Sequence, residues 1–277
     1  MNTQLIKPLH PSLSDDGKIL TLRLENGRAN EMGKPELQAW SDLSDALEEG
    51  VIRAVITTSQ RTSRSGKPIF ISGANVTERA EWTSQQVRTH VRWQRNILQR
   101  LRRCPVFHVC VVDGIALGWG TEFLLTCDYR ITTTRSTFGL PETSLGILPG
   151  AGGTSDLWSE IGPAHTLRLG MTGEQISAQE ATRIGLTQET VADWQTGMTR
   201  AMALAQKSAN CSPTATAAFK RALLAAMGRG PNFRQGLEAR AYEHCVNTGE
   251  AAIGRKNFKK ILKGETVSWG SFTPFQP

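Results

Sequence analysis

Up to about residue 150 the chain alternates strand-like and helix-like segments, and beyond that point nearly every segment is helix-like. That switch predicts an α/β core followed by a helical C-terminal subdomain, divided as residues 1–200 and 201–277. KILTLRL at 18–24 alternates apolar and polar residues, as a strand does. Lys34 to Glu49 carries Leu37, Trp40, Leu43 and Leu47 at helical spacing, and Gly50 ends it. The β-branched VIRAVIT at 51–57 reads as the next strand, and IFIS at 69–72 as a short one running into Gly73. Residues 84–103 form an amphipathic helix. Pro105 follows, and the nearly all-apolar VFHVCVV at 106–112 reads as a buried strand. Helices are expected over 153–161, 163–170, 178–184, 194–208, 213–228, 233–246 and 249–262, with an irregular tail from Trp269.

The 277 residues suffice for one large domain or two small ones with a sizeable core. No apolar run approaches the roughly 20 residues that span a bilayer. The opening segment MNTQLIKPLHPSLSDDGK lacks the apolar stretch of a secretory signal, so no membrane partner and a cytoplasmic location are expected. Cys104, Cys110, Cys127, Cys211 and Cys245 form no CxxC pair. This argues against a disulfide framework or a cysteine-based zinc site, and no metal is expected. The 32 basic and 25 acidic residues leave a charge of +7. That balance favours acidic partners, among them nucleic acid, anionic lipid and phosphorylated small molecules, without choosing between them.

Three glycine-rich turns stand out: ISGAN at 71–75, DGIALGWGTEF at 113–123 and PETSLGILPGAGGT at 141–154. Each can present backbone N–H groups to a developing negative charge. Glu122 and Glu142 sit in the second and third, among Gly, Phe, Leu, Ile and Pro, where an unpaired carboxylate is costly to bury. Paired carboxylates in an apolar site are suited to proton transfer, because burial and mutual repulsion separate their pKa values.

The run from 104 to 153, CPVFHVCVVDGIALGWGTEFLLTCDYRITTTRSTFGLPETSLGILPGAGG, resembles the core signature of the crotonase superfamily, the enoyl-CoA hydratases and isomerases. KPIFISGAN at 67–75 is similar to the first oxyanion loop of that family, and GRANEM at 27–32 to its early CoA-contacting loop. MTGEQISAQEA at 171–181 matches the family's LTGxxISAxEA, and GRKNFKK at 254–260 resembles its terminal helix. The resemblance implies a crotonase-like spiral of ββα units with a helical C-terminal trimerisation subdomain, and a homotrimer or dimer of trimers. It assigns the oxyanion hole to the backbone N–H groups of Ser72 and Trp119, catalysis to Glu122 and Glu142, and water positioning to Gly150. Arg28 in the early loop, with Arg255 and Lys256 on the terminal helix, is assigned to CoA binding. In the family that helix can reach a neighbouring subunit's site.

The implied activity is hydration of an acyl thioester, or its reverse, through an enolate. Water addition needs a base for water, an acid for Cα and stabilisation of the enolate, and the two carboxyl groups and two N–H groups supply these. No separate cofactor is expected, since coenzyme A enters with the substrate; an acyl-carrier-protein thioester fits equally. An isomerase would need one proton shuttle, most simply Glu142. Other members decarboxylate, hydrolyse or cleave C–C bonds on the same oxyanion hole. The non-enzyme alternative is an RNA-binding homologue. The chain has no RNA motif with stacking aromatics, so nucleic acid is not the expected partner.

Three positions depart from the family pattern. Trp119 replaces a small residue, and its indole is expected to reshape the acyl pocket while the backbone donor survives. Asn75 stands for Asp, and Asp156 for a residue that is often basic. On the helix at 84–103, Arg88, Arg92, Arg95 and Arg102 share one face, which reads first as a solvated stripe, with a cradle for CoA phosphates or an RNA-binding comb as the sharper alternatives. Asp113, Asp128 and His108 flank the buried strand without metal-ligand spacing and read as structural. The remaining histidines form no triad, and no serine sits in a GxSxG turn.

Overall fold

The alternating half of the chain builds two sheets at once. In the computed structural model, which describes residues 3–277, the larger sheet has six strands lying side by side in chain order. They are Pro11–Leu13, Ile19–Leu24, Ala54–Ser59, Phe107–Val112, Tyr129–Thr133 and Glu189–Val191. The first pair is antiparallel and the others run parallel. The smaller sheet runs Gln175–Ser177, Thr137–Gly139, Ile115–Leu117, Pro68–Ile71 and Arg61–Thr62. Three times the chain leaves the large sheet, adds one or two strands to the small one and enters a helical segment. That repeat is the expected ββα spiral.

The helices are α1 (Lys34–Leu47), α2 (Ser84–Arg103), α3 (Trp119–Phe123), α4 (Trp158–Thr172), α5 (Ala178–Ile184), α6 (Trp194–Ala209), α7 (Pro213–Ala226), α8 (Pro231–Asn247), α9 (Glu250–Lys256) and α10 (Phe258–Leu262). None of the described helices is long and apolar enough to cross a membrane. Between the sheets, α1 and α2, the apolar stripes predicted from the sequence meet: Leu37, Trp40 and Leu43 with Leu98, Leu101, Phe70, Phe123 and Phe138. Each such side chain stabilises the fold by roughly 1.5–3 kcal/mol when fully buried. Ala201, Ala205 and Ala209 of α6 pack on Ile56, Val109, Val111 and Ile131 of the large sheet. The division expected after residue 200 therefore falls inside a helix that belongs to the sheet along its whole length.

Other boundaries also differ from expectation. Residues 153–157 form turns, and a single helical span, kinked at Gly162 (φ 76°), runs from Trp158 to Thr172. The helix expected over 249–262 is broken at Asn257 into α9 and α10. The tail is irregular, as expected, and packs on its own chain. Phe275 is buried beside Ala218, Ala222 and Ala241, and its carbonyl accepts from Arg221 at 3.1 Å.

Candidate active site

The first strand of the small sheet to reach the site ends at Ile71, and the turn beyond it is held by one buried amide. Asn30, in the left-handed region at φ 49°, donates to the carbonyls of Leu24 and Phe70, both at 3.0 Å, and to Ser59 Oγ at 2.7 Å. Its side-chain oxygen accepts from Asn26 N–H at 2.6 Å. The 26–30 loop is thereby fixed beside the 68–71 strand. One consequence concerns Ser72: its N–H donates to the carbonyl of Ala29 at 3.3 Å, a long bond. Asn75 closes the turn, its Oδ1 accepting from Thr77 Oγ1 at 2.6 Å and from Glu78 N–H. That acceptor role needs only a carbonyl-type oxygen, so Asn serves it as Asp would.

Trp119 is the first residue of α3, and the first N–H groups of a helix have no intrahelical acceptor. Gly118, at φ 53° and ψ −119°, makes the turn into it. A Cβ on Gly118 would lie 2.7 Å from Glu142 Oε1, and one on Gly120 would lie 2.3 Å from the carbonyl oxygen of Ile71. Only bare backbone lets the head of α3 stand against both the Ser72 turn and the Glu142 carboxylate.

Glu122 is only 2% exposed, and its Oε1 accepts from the N–H groups of Ala151 at 2.7 Å and Gly153 at 2.8 Å. Burial pushes its pKa from 4.5 up to about 7; the two N–H groups oppose the shift, the charge of Glu142 adds to it, and Arg95 opposes it. Glu142 lies in a 3₁₀ turn, Pro141–Leu145, and is half-buried. Burial raises its pKa as well, and its Oε2 is enclosed without a hydrogen-bond partner. The two carboxyl groups come from segments twenty residues apart, and Glu122 senses the charge of Glu142.

A model of the enoyl-CoA hydratase/isomerase family matches residues 34–265. The chain belongs to that family. It is 32% identical over 227 residues to the mouse mitochondrial enoyl-CoA hydratase domain-containing protein 2, covering 79% of this chain and 75% of that protein. It is 29% identical over 238 residues to a short-chain-enoyl-CoA hydratase of Clostridium acetobutylicum, covering 85% and 89%. A crystal structure of enoyl-CoA hydratase from Bacillus anthracis superposes with a TM-score of 0.83 at 31% identity, over 94% of this chain and 98% of that one.

Against the family pattern, the fold brings Ser72, Trp119, Glu122, Glu142 and Gly150 into one neighbourhood. It does not do so for all three basic residues. Arg28 is exposed on the turn before Asn30, while Arg255 and Lys256 are exposed on α9, which packs on α8 and α10. The Trp119 indole is turned inward. It stacks on Phe123, with ring centres 5.5 Å apart and planes at 26°, and its Nε1 is buried without a partner. The indole is thus part of the buried aromatic core at the start of α3.

Asp113 pairs with Arg135 at 2.6 Å, and Asp128 accepts from the His108 N–H at 2.8 Å and from Lys220 at 2.7 Å. These are the structural roles their positions suggested. The residues missed from the sequence are Asn30 and the N–H donors of Ala151 and Gly153. Asn30 had one visible signal, an Asn at a turn between two apolar runs. The two N–H donors had none, since a backbone donor has no side chain to read.

Proposed function

We propose that this protein is an enoyl-CoA hydratase. The observation that carries the reading is Glu122, buried on two loop N–H groups, with a pKa near neutrality and Glu142 close enough to raise it. Glu142 rests against Gly118, next to the Trp119 N–H that would receive the thioester oxygen, so Glu142 is placed to exchange a proton with Cα. Glu122 is anchored on the loop that begins at Gly150 and is placed to work on water. In the forward direction the water oxygen bonds to Cβ while its proton passes to Glu122. The C=C electron pair moves toward the thioester, forming an enolate whose oxygen is met by the Ser72 and Trp119 N–H groups. Glu142 then delivers a proton to Cα. Dehydration runs the same steps backward.

The acyl group is carried as a CoA thioester, with Arg28 contacting its phosphates. Arg255 and Lys256 reach those phosphates from α9 of a neighbouring copy, since the single chain leaves them apart from the carboxyl pair. A homotrimer, or a dimer of such trimers, is supported by apolar side chains exposed beside the site, Leu145, Ile147, Leu148 and Trp158, and on the C-terminal helices, Phe219, Phe258 and Leu262. The unpartnered Oε2 of Glu142 favours a second reading, a 3-enoyl to 2-enoyl isomerase with that carboxylate as sole shuttle. Turnover of 2-enoyl and 3-enoyl CoA thioesters by the wild type and Glu122→Gln decides between them. Hydration lost in Glu122→Gln supports the first reading. Isomerisation of 3-enoyl thioesters without hydration of 2-enoyl ones, retained in Glu122→Gln and lost only in Glu142→Gln, overturns it and installs the isomerase.

A further inference from the structure

Two of the four arginines on the α2 stripe are engaged by the catalytic loop. Arg95 Nε donates to the carbonyl of Gly150 at 3.0 Å. One turn earlier on the same flank, Val91 lies against Gly150, its Cγ1 3.2 Å from where a Cβ would stand. Seven residues beyond Arg95, Arg102 reaches Asp156 at 3.6 Å and Glu160 at 3.3 Å. Glu160 also holds Arg130 at 2.7 Å, and Arg130 donates to the carbonyls of Leu124 and Cys127. Arg88, by contrast, bonds along its own helix to Gln85. The segment from Gly150 to Asp156 is therefore tied to α2 at both ends. Between the ties lie the N–H groups of Ala151 and Gly153.

We propose that Arg95 and Arg102 are positioning residues: through Gly150 and Asp156 they fix the loop whose two N–H groups hold the Glu122 carboxylate. The proposal rests on the reading that Glu122 takes part in the reaction. It also gives Asp156 a reason, as the loop-side partner of a cation on α2. The charged groups facing Glu122 are Glu142 from the 3₁₀ turn and Arg95 from α2, beside the two loop N–H donors. Removing Arg95 takes away a nearby cation and slackens both donors. Each change favours the protonated carboxyl, so the ionisation of Glu122 moves to higher pH. A loop free to shift by a fraction of an ångström also misplaces the reacting groups, and such errors are costly in rate.

The test measures kcat and KM against pH for Arg95→Met, Arg95→Lys and Asp156→Asn, alongside Glu122→Gln. Arg95→Met should lower kcat by about tenfold or more with KM little changed, and move the ionisation near neutrality upward by about half a pH unit. Arg95→Lys keeps the charge and loses the Nε donor, so the pH profile stays in place while part of the rate is lost. Asp156→Asn should lower kcat a few fold. A wild-type rate and unmoved profile in Arg95→Met overturns the proposal. So does loss of activity that tracks a fallen Tm while Arg95→Lys behaves as wild type in rate. If Glu122→Gln itself turns over normally, the reading of the reaction fails instead. If Glu122→Gln is inactive while Arg95→Met is normal, only the positioning role is lost.

Discussion

The two segments that carry the carboxyl pair are built in opposite ways. The segment from Trp119 to Cys127 is buried throughout, and Glu122 is held there by the N–H groups of Ala151 and Gly153. The segment from Pro141 to Leu148 lies at the surface, with Leu145 66% and Leu148 59% exposed, and Glu142 is its one carboxylate turned inward over Gly118. One of the two carboxyl groups is thus held by the chain's own core, and the other stands on a turn with exposed apolar side chains. The lesson is that a substitution near Glu122 should register in stability and in pH response, while one near Glu142 should register in turnover and assembly.

The largest effect expected is on rate, and it tests whether both turns are needed. Glu122→Gln and Glu142→Gln should each slow hydration by at least about a hundredfold, the usual scale for a lost acid or base. Steady-state assays on a 2-enoyl thioester check this, and a large loss in one variant alone would break the pairing.

Next comes the core behind α3. Trp119→Ala should destabilise the fold by about 3 kcal/mol, because it empties a buried site stacked on Phe123, which itself packs on Trp40. The backbone N–H remains, so residual turnover per folded molecule should be retained. Urea unfolding measures the first quantity, and a variant as stable as wild type would show that the indole is not a core side chain.

A smaller effect separates the carboxyl groups by pH. Burial lifts Glu122 from 4.5 to about 7, so between those values the folded chain binds this proton more tightly than the unfolded chain does. The stability this group contributes is whole below its unfolded pKa and is lost as pH rises through its folded one. Glu122→Gln removes that dependence. Relative to wild type it should gain on the order of 2 kcal/mol in moving from about pH 5 to about pH 8. Thermal melts at both values check this, and a constant difference between the curves would contradict it. Glu142→Gln, whose carboxyl is only half-buried, should show a weaker version of the same trend.

The smallest effect lies at the exposed turn. Leu148→Ser should change the stability of the isolated chain by no more than about 0.5 kcal/mol. If a second copy covers that turn, the same variant should shift the mass seen by light scattering toward smaller species. An unchanged mass would place the assembly surface elsewhere.

Much of this was legible in the chain itself. The apolar run ending at Val112, the helically spaced apolar stripe of α1 and the glycine-rich segments carrying Glu122 and Glu142 have local signatures, and the motif order pointed to the spiral. What was hidden is tertiary. Residues 153–157 look helical by composition, yet the N–H of Gly153 is taken by a carboxylate 31 positions earlier, and the turn follows that bond. The arginines of α2 are periodic in either reading; only their distance to Gly150 and Asp156 separates a solvated stripe from a brace. The direction of the Trp119 indole is tertiary too, because spacing cannot say which way a side chain faces at a helix start.

At rest the Ser72 N–H is already occupied by the carbonyl of Ala29. A ligand oxygen that takes this donor must displace an amide oxygen, which is a better acceptor than the oxygen of a neutral thioester. An enolate oxygen, carrying charge, outcompetes both. If Ser72 is the oxyanion donor proposed above, the swap of partners becomes favourable only as the electrons arrive, and the turn would act as a comparator that ignores the resting substrate and answers to its activated form.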